Sequence, residues 1–255
     1  MMKEIQGAVL TVLVCGLMAG SANAISTYSS SFDAADALWT EHRVGDSDQV
    51  YTYGQAGGGL TSSAQTGLVI EGAGGGSSAN GTGKITTGAL TMPAAGETAT
   101  WTATVGPVQG DITTLGVGIG IAGNEDVPTA YGMYYNADTD VISAIVGGVG
   151  NVGTYNTGGK FNGTYRIVLD NDGGAITAAF DVQKFGEAAW NSVGSDSSTT
   201  AGQFPDAYSL IGVQKTKDIF VDHASYNVVN PIPEPGTLAL LGIGGLFCFC
   251  RRRRG

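Results

Sequence analysis

The stretch Glu97-Thr98-Ala99-Thr100-Trp101-Thr102-Ala103-Thr104-Val105 sets Ala99, Trp101, Ala103 and Val105 on one side and four threonines on the other. Successive side chains of a strand point to opposite faces, so this alternation describes an antiparallel strand with one buried face and one wet face. The same period of two recurs along the chain in both directions. Strands are predicted over 49–53, 67–71, 83–89, 114–121, 131–136, 141–146, 165–170, 175–182, 208–213 and 218–229, and no window shows the 3.6-residue repeat of an amphipathic helix. Gly186 to Trp190 has room for a turn at most. Roughly ten or eleven short strands separated by Gly, Asn and Asp imply an all-β antiparallel sandwich of jelly-roll type.

The turns agree. Leu169-Asp170-Asn171-Asp172-Gly173-Gly174-Ala175 and Tyr135-Asn136-Ala137-Asp138-Thr139-Asp140-Val141 place residues tolerant of positive φ between alternating segments. They predict two hairpins, Tyr131 to Val146 and Tyr165 to Val182. Gly57 to Gly59, Gly72 to Gly76 and Gly147 to Gly153 read as loops or rim connections. None sits between a strand and a helix, the setting in which a glycine loop holds phosphate.

The C-terminal half resembles the concanavalin A-like, laminin G-like sandwich family. The resemblance rests on Gly163-Thr164-Tyr165-Arg166-Ile167-Val168-Leu169-Asp170, the hairpin into Ile176-Thr177-Ala178-Ala179-Phe180-Asp181, and a closing strand Ile219-Phe220-Val221-Asp222-His223-Ala224-Ser225-Tyr226. It implies that the last strand pairs near the N-terminal one, for which Ser31-Phe32-Asp33 and Trp39 are the expected partner.

Both ends of the chain are apolar. Lys3, an apolar run from Gly7 to Ala19 and Ser21-Ala22-Asn23-Ala24 form a secretory signal peptide, with Ala22 and Ala24 as the small residues of the cleavage site. A lipoprotein site at Cys15 fits poorly, because branched Val14 precedes it within the apolar run. At the other end Asn230-Pro231-Ile232-Pro233-Glu234-Pro235-Gly236 cannot continue a helix or a ladder. The apolar span Thr237 to Cys250 follows, and then Arg251, Arg252, Arg253 and Arg254. Its 14 residues would make a helix of about 21 Å, short of a hydrocarbon core of about 30 Å, which suits a temporary membrane stop. The guanidiniums are held on the cytoplasmic side by the positive-inside rule.

This tail resembles the bacterial PEP-CTERM sorting signal: Pro233, Glu234 and Pro235 match its triplet, and the apolar span and the Arg run follow in the family's order. The resemblance implies export, processing by an exosortase, transient anchoring in the inner membrane, and a place at the cell surface or in an exopolysaccharide-rich biofilm matrix. An ordinary tail anchor is the plain alternative. The chain thus divides into a signal peptide at 1–24, a sandwich domain at 25–229 and a sorting segment at 230–255, with a signal helix and a hydrophobic helix flanking the β domain.

With Glu4, Glu234, Lys3 and the four terminal arginines set aside, the 22 acidic and 12 basic residues of the whole chain become 20 and 7, a charge of −13 on the body. Such a body is repelled by nucleic acid and by anionic membranes. Glycine is in excess, 42 of 255 residues, yet spread aromatic and β-branched residues argue for a folded chain over a disordered one. All three cysteines, Cys15, Cys248 and Cys250, lie in the terminal apolar segments, so the body has no disulfide and no thiolate metal site.

The candidate chemistry is sparse. A glycoside hydrolase needs two carboxylates facing each other across a sugar, but Glu41, Glu71, Glu97, Glu125 and Glu187 are scattered. His42 and His223 are the only histidines, and no G-x-S-x-G elbow accompanies them. The chain therefore reads as a non-enzyme, with no catalytic residue assigned. Asn136, Asp138 and Asp140 in one turn and Asp170 and Asp172 in another are candidate calcium ligands, since oxygens two residues apart converge on a hard cation. The plain alternative is that Asn and Asp are simply good turn residues. Trp39, Trp101 and Trp190, with Tyr131, Tyr134 and Tyr135, are candidates for stacking on a glycan, or else for the core; Tyr134 and Tyr135 must face opposite ways. The resulting expectation is an exported, non-catalytic surface or matrix protein that binds exopolysaccharide. An extracellular carbohydrate-active enzyme and a purely structural matrix protein are the alternatives.

Overall fold

The computed structural model describes residues 25–44, 50–56, 66–71, 82–107, 114–121, 128–214 and 219–229. The strands are β1 (Thr27–Ser30), β2 (Trp39–Val44), β3 (Val50–Ala56), β4 (Thr66–Glu71), β5 (Thr82–Ala89), β6 (Thr98–Pro107), β7 (Thr114–Ile121) and β8 (Tyr131–Asn136). They continue as β9 (Val141–Val146), β10 (Gly150–Asn156), β11 (Gly163–Asn171), β12 (Ala175–Lys184), β13 (Asn191–Thr200), β14 (Ala207–Gln214) and β15 (Ile219–Val229). Among the described residues there is no helix, and so none long and apolar enough to cross a membrane. The two flanking apolar segments, expected to be helical, lie outside the described residues.

Two antiparallel sheets face each other. The first runs β13-β12-β11-β6-β15-β4-β3, with β1 also on β15; the second runs β10-β9-β8-β7-β14-β5-β2. Strand β6 sits at the centre of the first sheet because its alternation supplies both faces. Ala99, Trp101, Ala103 and Val105 are fully buried, while Thr98, Thr100, Thr102 and Thr104 are half-exposed. On that outer face the hydroxyls pair across the ladder, Thr102 Oγ1 with Ser225 Oγ at 2.7 Å and Thr104 Oγ1 with Thr164 Oγ1 at 2.8 Å. The core between the sheets takes Trp101, Tyr165, Ile167, Phe180 and Tyr226 from the first sheet, and Ile85, Leu115, Val117, Tyr131, Met133 and Tyr135 from the second.

Both expected hairpins form. Tyr131 pairs with Val146 and Asn136 with Val141; Tyr165 pairs with Val182 and Asn171 with Ile176. Four strands escape the sequence pattern: β1, β2, β10 and β13. The partner of the last strand is one of them. Thr27 pairs with Asn227 and Ser30 with Ala224, whereas Ser31, Phe32 and Asp33 follow that strand and Phe32 turns at a positive φ of 55°. Trp39 opens β2 in the opposite sheet, beside Thr87. The N-terminal segment does lie on the closing strand, but four residues earlier than its aromatic content suggests.

The register fixes the two ends of the sandwich. Val229 lies beside Thr98, Asp170 beside Thr98 on the other flank, and Ala207 beside Ile121. Ile25 N donates to Ala89 O at 2.9 Å and Leu90 N to Ala207 O at 2.7 Å. These residues share one end. Gly163 and the β12–β13 connection, between Lys184 and Asn191, lie at the other.

Candidate functional site

The five candidate calcium ligands fall at opposite ends of the sandwich. Asn136, Asp138 and Asp140 form the β8–β9 turn, which is tied to the segment before β11: Thr157 N donates to Asp140 O at 2.8 Å. Asp170 lies at the far end of β11 and Asp172 in the turn just beyond it. Asp170 is seven positions along from Gly163, roughly 23 Å of strand at about 3.3 Å per residue. Asn136 and Asp172 are used by their own turns, while Asp170 Oδ1 accepts from Thr98 Oγ1 at 3.2 Å across the ladder. Asn136 Oδ1 accepts from Asp138 N at 2.9 Å and Thr139 N at 3.3 Å, and Asp172 Oδ1 accepts from Gly174 N and Ala175 N, both at 2.9 Å. Those two backbone bonds hold the Asp172 carboxyl below its usual range. Asp140 takes the left-handed φ of 54° and accepts the Tyr135 hydroxyl at 3.0 Å. Among the described residues no three acidic, His or Cys side chains gather as a metal cluster. The two turns cannot share one ion, and Asn and Asp serve here as turn residues.

The tryptophans also separate. Trp101 is fully buried and donates Nε1–H to Ser209 Oγ at 3.0 Å. Trp39 is buried edge-on to Tyr28, ring centres 5.7 Å apart. Neither offers a ring face to a ligand, which corrects the expectation of glycan stacking at these two positions: both are core residues. Trp190 is half-exposed, and the Arg166 guanidinium lies 4.0 Å from its ring centre. Arg166 is held in turn by Asp181 Oδ2 at 2.9 Å. Tyr131 and Tyr135 are buried and Tyr134 is half-exposed on the opposite face.

A cleft of about 650 Å3 opens where the second sheet ends, lined by Ile121, Pro128, Thr129, Ile145, Phe204, Gln203 and the β9–β10 turn Val146 to Gly150. The turn is built by glycine. Val149 N donates to Val146 O at 3.1 Å, and Gly148 has φ +80° at the position where a type II turn requires it. Gly147 lies so close to the segment leading into β8 that a Cβ there would come within 2.1 Å of Thr129 O and 3.0 Å of the Phe204 ring. Phe204 packs edge-on against Tyr131 at 5.2 Å and forms a firm wall. Val149 stands on the rim, 50% exposed. Gln203 Nε2 donates to Gly147 O and Gln203 Oε1 accepts from Thr200 N, both at 3.4 Å. A carboxamide has two donors and two acceptor positions, so one of each remains for a ligand.

No lining residue carries a charge or titrates near neutral pH. The cleft provides apolar walls, main-chain groups and one amide, which suits a neutral ligand and offers no acid, base or activated nucleophile. Sequence reading takes Gly147 to Gly153 as a rim connection and misses Gln203 and Phe204. The usable signal is Val146-Gly147-Gly148-Val149-Gly150, a tight turn directly after an alternating strand.

The chain carries a PEP-CTERM protein-sorting motif at residues 231–254. No curated protein matches the sequence. Among solved structures, the lectin UEA-II complexed with galactose aligns with a TM-score of 0.50 at 7% identity, over 81% of this chain and 99% of that one. The Lotus tetragonolobus seed lectin gives 0.49 at 10% identity, over 81% and 100%. The VIP36 exoplasmic/lumenal domain in its Ca2+/Man2-bound form gives 0.48 at 7%, over 83% and 90%. The match to UEA-II shows a shared sandwich fold. The chain is thus an antiparallel two-sheet β-sandwich with a PEP-CTERM protein-sorting motif after it in sequence, the mark of an exported, envelope-associated protein.

Proposed function

We propose that the protein is a non-catalytic surface or matrix component whose sandwich binds a neutral saccharide in the Gly147–Gly150 cleft, and that its PEP-CTERM tail delivers it. In this reading the signal peptide ends at Ala24 and the sandwich domain spans 25–229. The sorting triplet is Pro233, Glu234 and Pro235, and Arg251 to Arg254 hold the tail at the inner membrane until it is processed. The observation that carries the reading is the cleft itself: an open, uncharged hollow with one amide that keeps a donor and an acceptor position for a ligand, at the end of a fold shared with a galactose-bound lectin. The described acidic side chains support a non-catalytic role. No acidic side chain lines the cleft, and the glutamates lie apart: Glu41 on β2, Glu187 after β12, and Glu97 accepting from Ala94 N at 2.8 Å. Exopolysaccharide is the saccharide that the delivery route would bring within reach.

The test is a glycan array with and without calcium, run on the wild type and on Val149→Asp. Val149 is 50% exposed, so the substitution leaves the core intact and places a charge in a neutral hollow. Neutral saccharides are expected to bind the wild type, with a loss of at least tenfold in the variant. Silence on neutral glycans under both conditions would leave a purely structural matrix role. Release of reducing sugar would end the non-catalytic reading.

A further inference from the structure

The described domain begins and ends at one spot. Ile25 is hydrogen-bonded into the second sheet by Ile25 N to Ala89 O and Thr91 N to Ile25 O, both at 2.9 Å. One residue on, Ser26 O accepts Val228 N of the first sheet at 3.0 Å. Thr27 pairs with Asn227, and Thr27 Oγ1 donates to Asn227 Oδ1 at 3.0 Å. The chain therefore enters through Ile25 and leaves through Val229 on neighbouring antiparallel strands, about 4.8 Å apart.

The connections onward are short. Residues 20–24 separate the first apolar run from Ile25, and residues 230–236 separate Val229 from Thr237. Fully extended they reach at most about 17 and 24 Å. Two membrane helices pack at about 8–10 Å, so chain exits one strand spacing apart permit both apolar segments to occupy one bilayer together. Nothing in the β1–β15 pairing has to open for this.

We propose that the domain folds completely while both membrane-directed segments are still inserted, with its Ile25/Val229 end facing the bilayer. The proposal rests on the export reading above. It also places the Pro93–Glu97 segment, the Asn171–Gly174 turn and the mouth of the Gly147–Gly150 cleft on the membrane side of the precursor.

The test exploits a body without cysteine. In full-length chain carrying C15S, C248S and C250S, one variant receives Thr27→Cys and Asn227→Cys, and a second receives Thr102→Cys and Ser225→Cys in the middle of the β6–β15 ladder. Because Ser26 and Val228 form the hydrogen-bonded pair, Thr27 and Asn227 form the closer, non-hydrogen-bonded one, which suits a disulfide. Ala22→Leu with Ala24→Leu retains the signal segment, and a host with an oxidising periplasm and no exosortase retains the tail. Thiol trapping in intact cells is expected to find both pairs oxidised to the same extent in this doubly anchored precursor. Oxidation at 102/225 with free thiols at 27/227 would overturn the proposal, since β1 would then dock only after cleavage. Free thiols at both pairs would show that the body never reached the periplasm, and would overturn the export reading together with the proposal.

Discussion

At Ser209 one hydroxyl serves two aromatic rings from the opposite sheet. It lies 2.6 Å from the Tyr28 hydroxyl and accepts the Trp101 indole N–H at 3.0 Å, while the Ser209 N–H donates to Thr87 Oγ1 at 2.9 Å. Ser209 and Trp101 have no exposed surface. Removing the hydroxyl leaves two buried polar groups without partners, each costing about 1–3 kcal/mol. Ser209→Ala should therefore lose roughly 2–5 kcal/mol in urea unfolding, far above the cost of one surface serine. Tyr165 is the converse case. Its hydroxyl is buried with no partner, and burial pushes it well above its usual pKa. Tyr165→Phe keeps the ring against Phe161, 5.1 Å away, and discards the unpaired group, so stability should rise by about 1 kcal/mol. A loss of that size in the same unfolding experiment would mean that the hydroxyl has a partner after all.

At the scale of the strand, the sandwich is closed along one edge by glycine. β10 and β13 are the outermost strands of the two sheets, and they meet where a Cβ on Gly153 would come within 2.1 Å of Val193 O and 2.7 Å of Gly194 Cα. Gly153→Ala must push the edges apart and should cost about 1–3 kcal/mol, with faster amide exchange in β10 and β13 than in β6. Uniform protection across all three strands would refute this. The same contact explains why these strands are illegible in the sequence. Gly150-Asn151-Val152-Gly153-Thr154-Tyr155-Asn156 and Asn191-Ser192-Val193-Gly194-Ser195-Asp196-Ser197-Ser198 lack apolar alternation because an edge strand buries little. Their small residues are selected by backbone approach. β6, β11 and β12 bury one full face each and declare it at every second residue. The site divides in the same way. The tail motif is legible because it is a linear signal, whereas the cleft joins Thr129, Gly147 and Gln203 across long sequence distances. Asp170 and Asp172, adjacent in pattern, are spent on different partners, Asp172 on its own turn and Asp170 on Thr98 across the ladder.

For the whole molecule the decisive balance is between an acidic surface and a core rich in tyrosine. The body's charge of −13 becomes more negative as pH rises, and self-repulsion disfavours the compact state. Burial raises the Tyr131 hydroxyl to about 12, and burial with the bond to Asp140 does the same for Tyr135. Burial pushes Tyr28 and Tyr226 higher still and holds Tyr165 well above its usual value. In the unfolded chain these phenols titrate near 10, so between pH 10 and about 12 the unfolded state has released protons that the folded state still holds. Their contribution to stability is complete below pH 10 and is lost as pH climbs through that window. Thermal unfolding should hold steady from neutral pH to just below 10 and then fall steeply. Tyrosinate absorbance from the buried set should appear together with loss of the β-sheet circular dichroism signal. If those tyrosines ionise near pH 10 while the sheet signal is intact, water reaches them in the folded protein, and the two sheets do not pack into a dry interface.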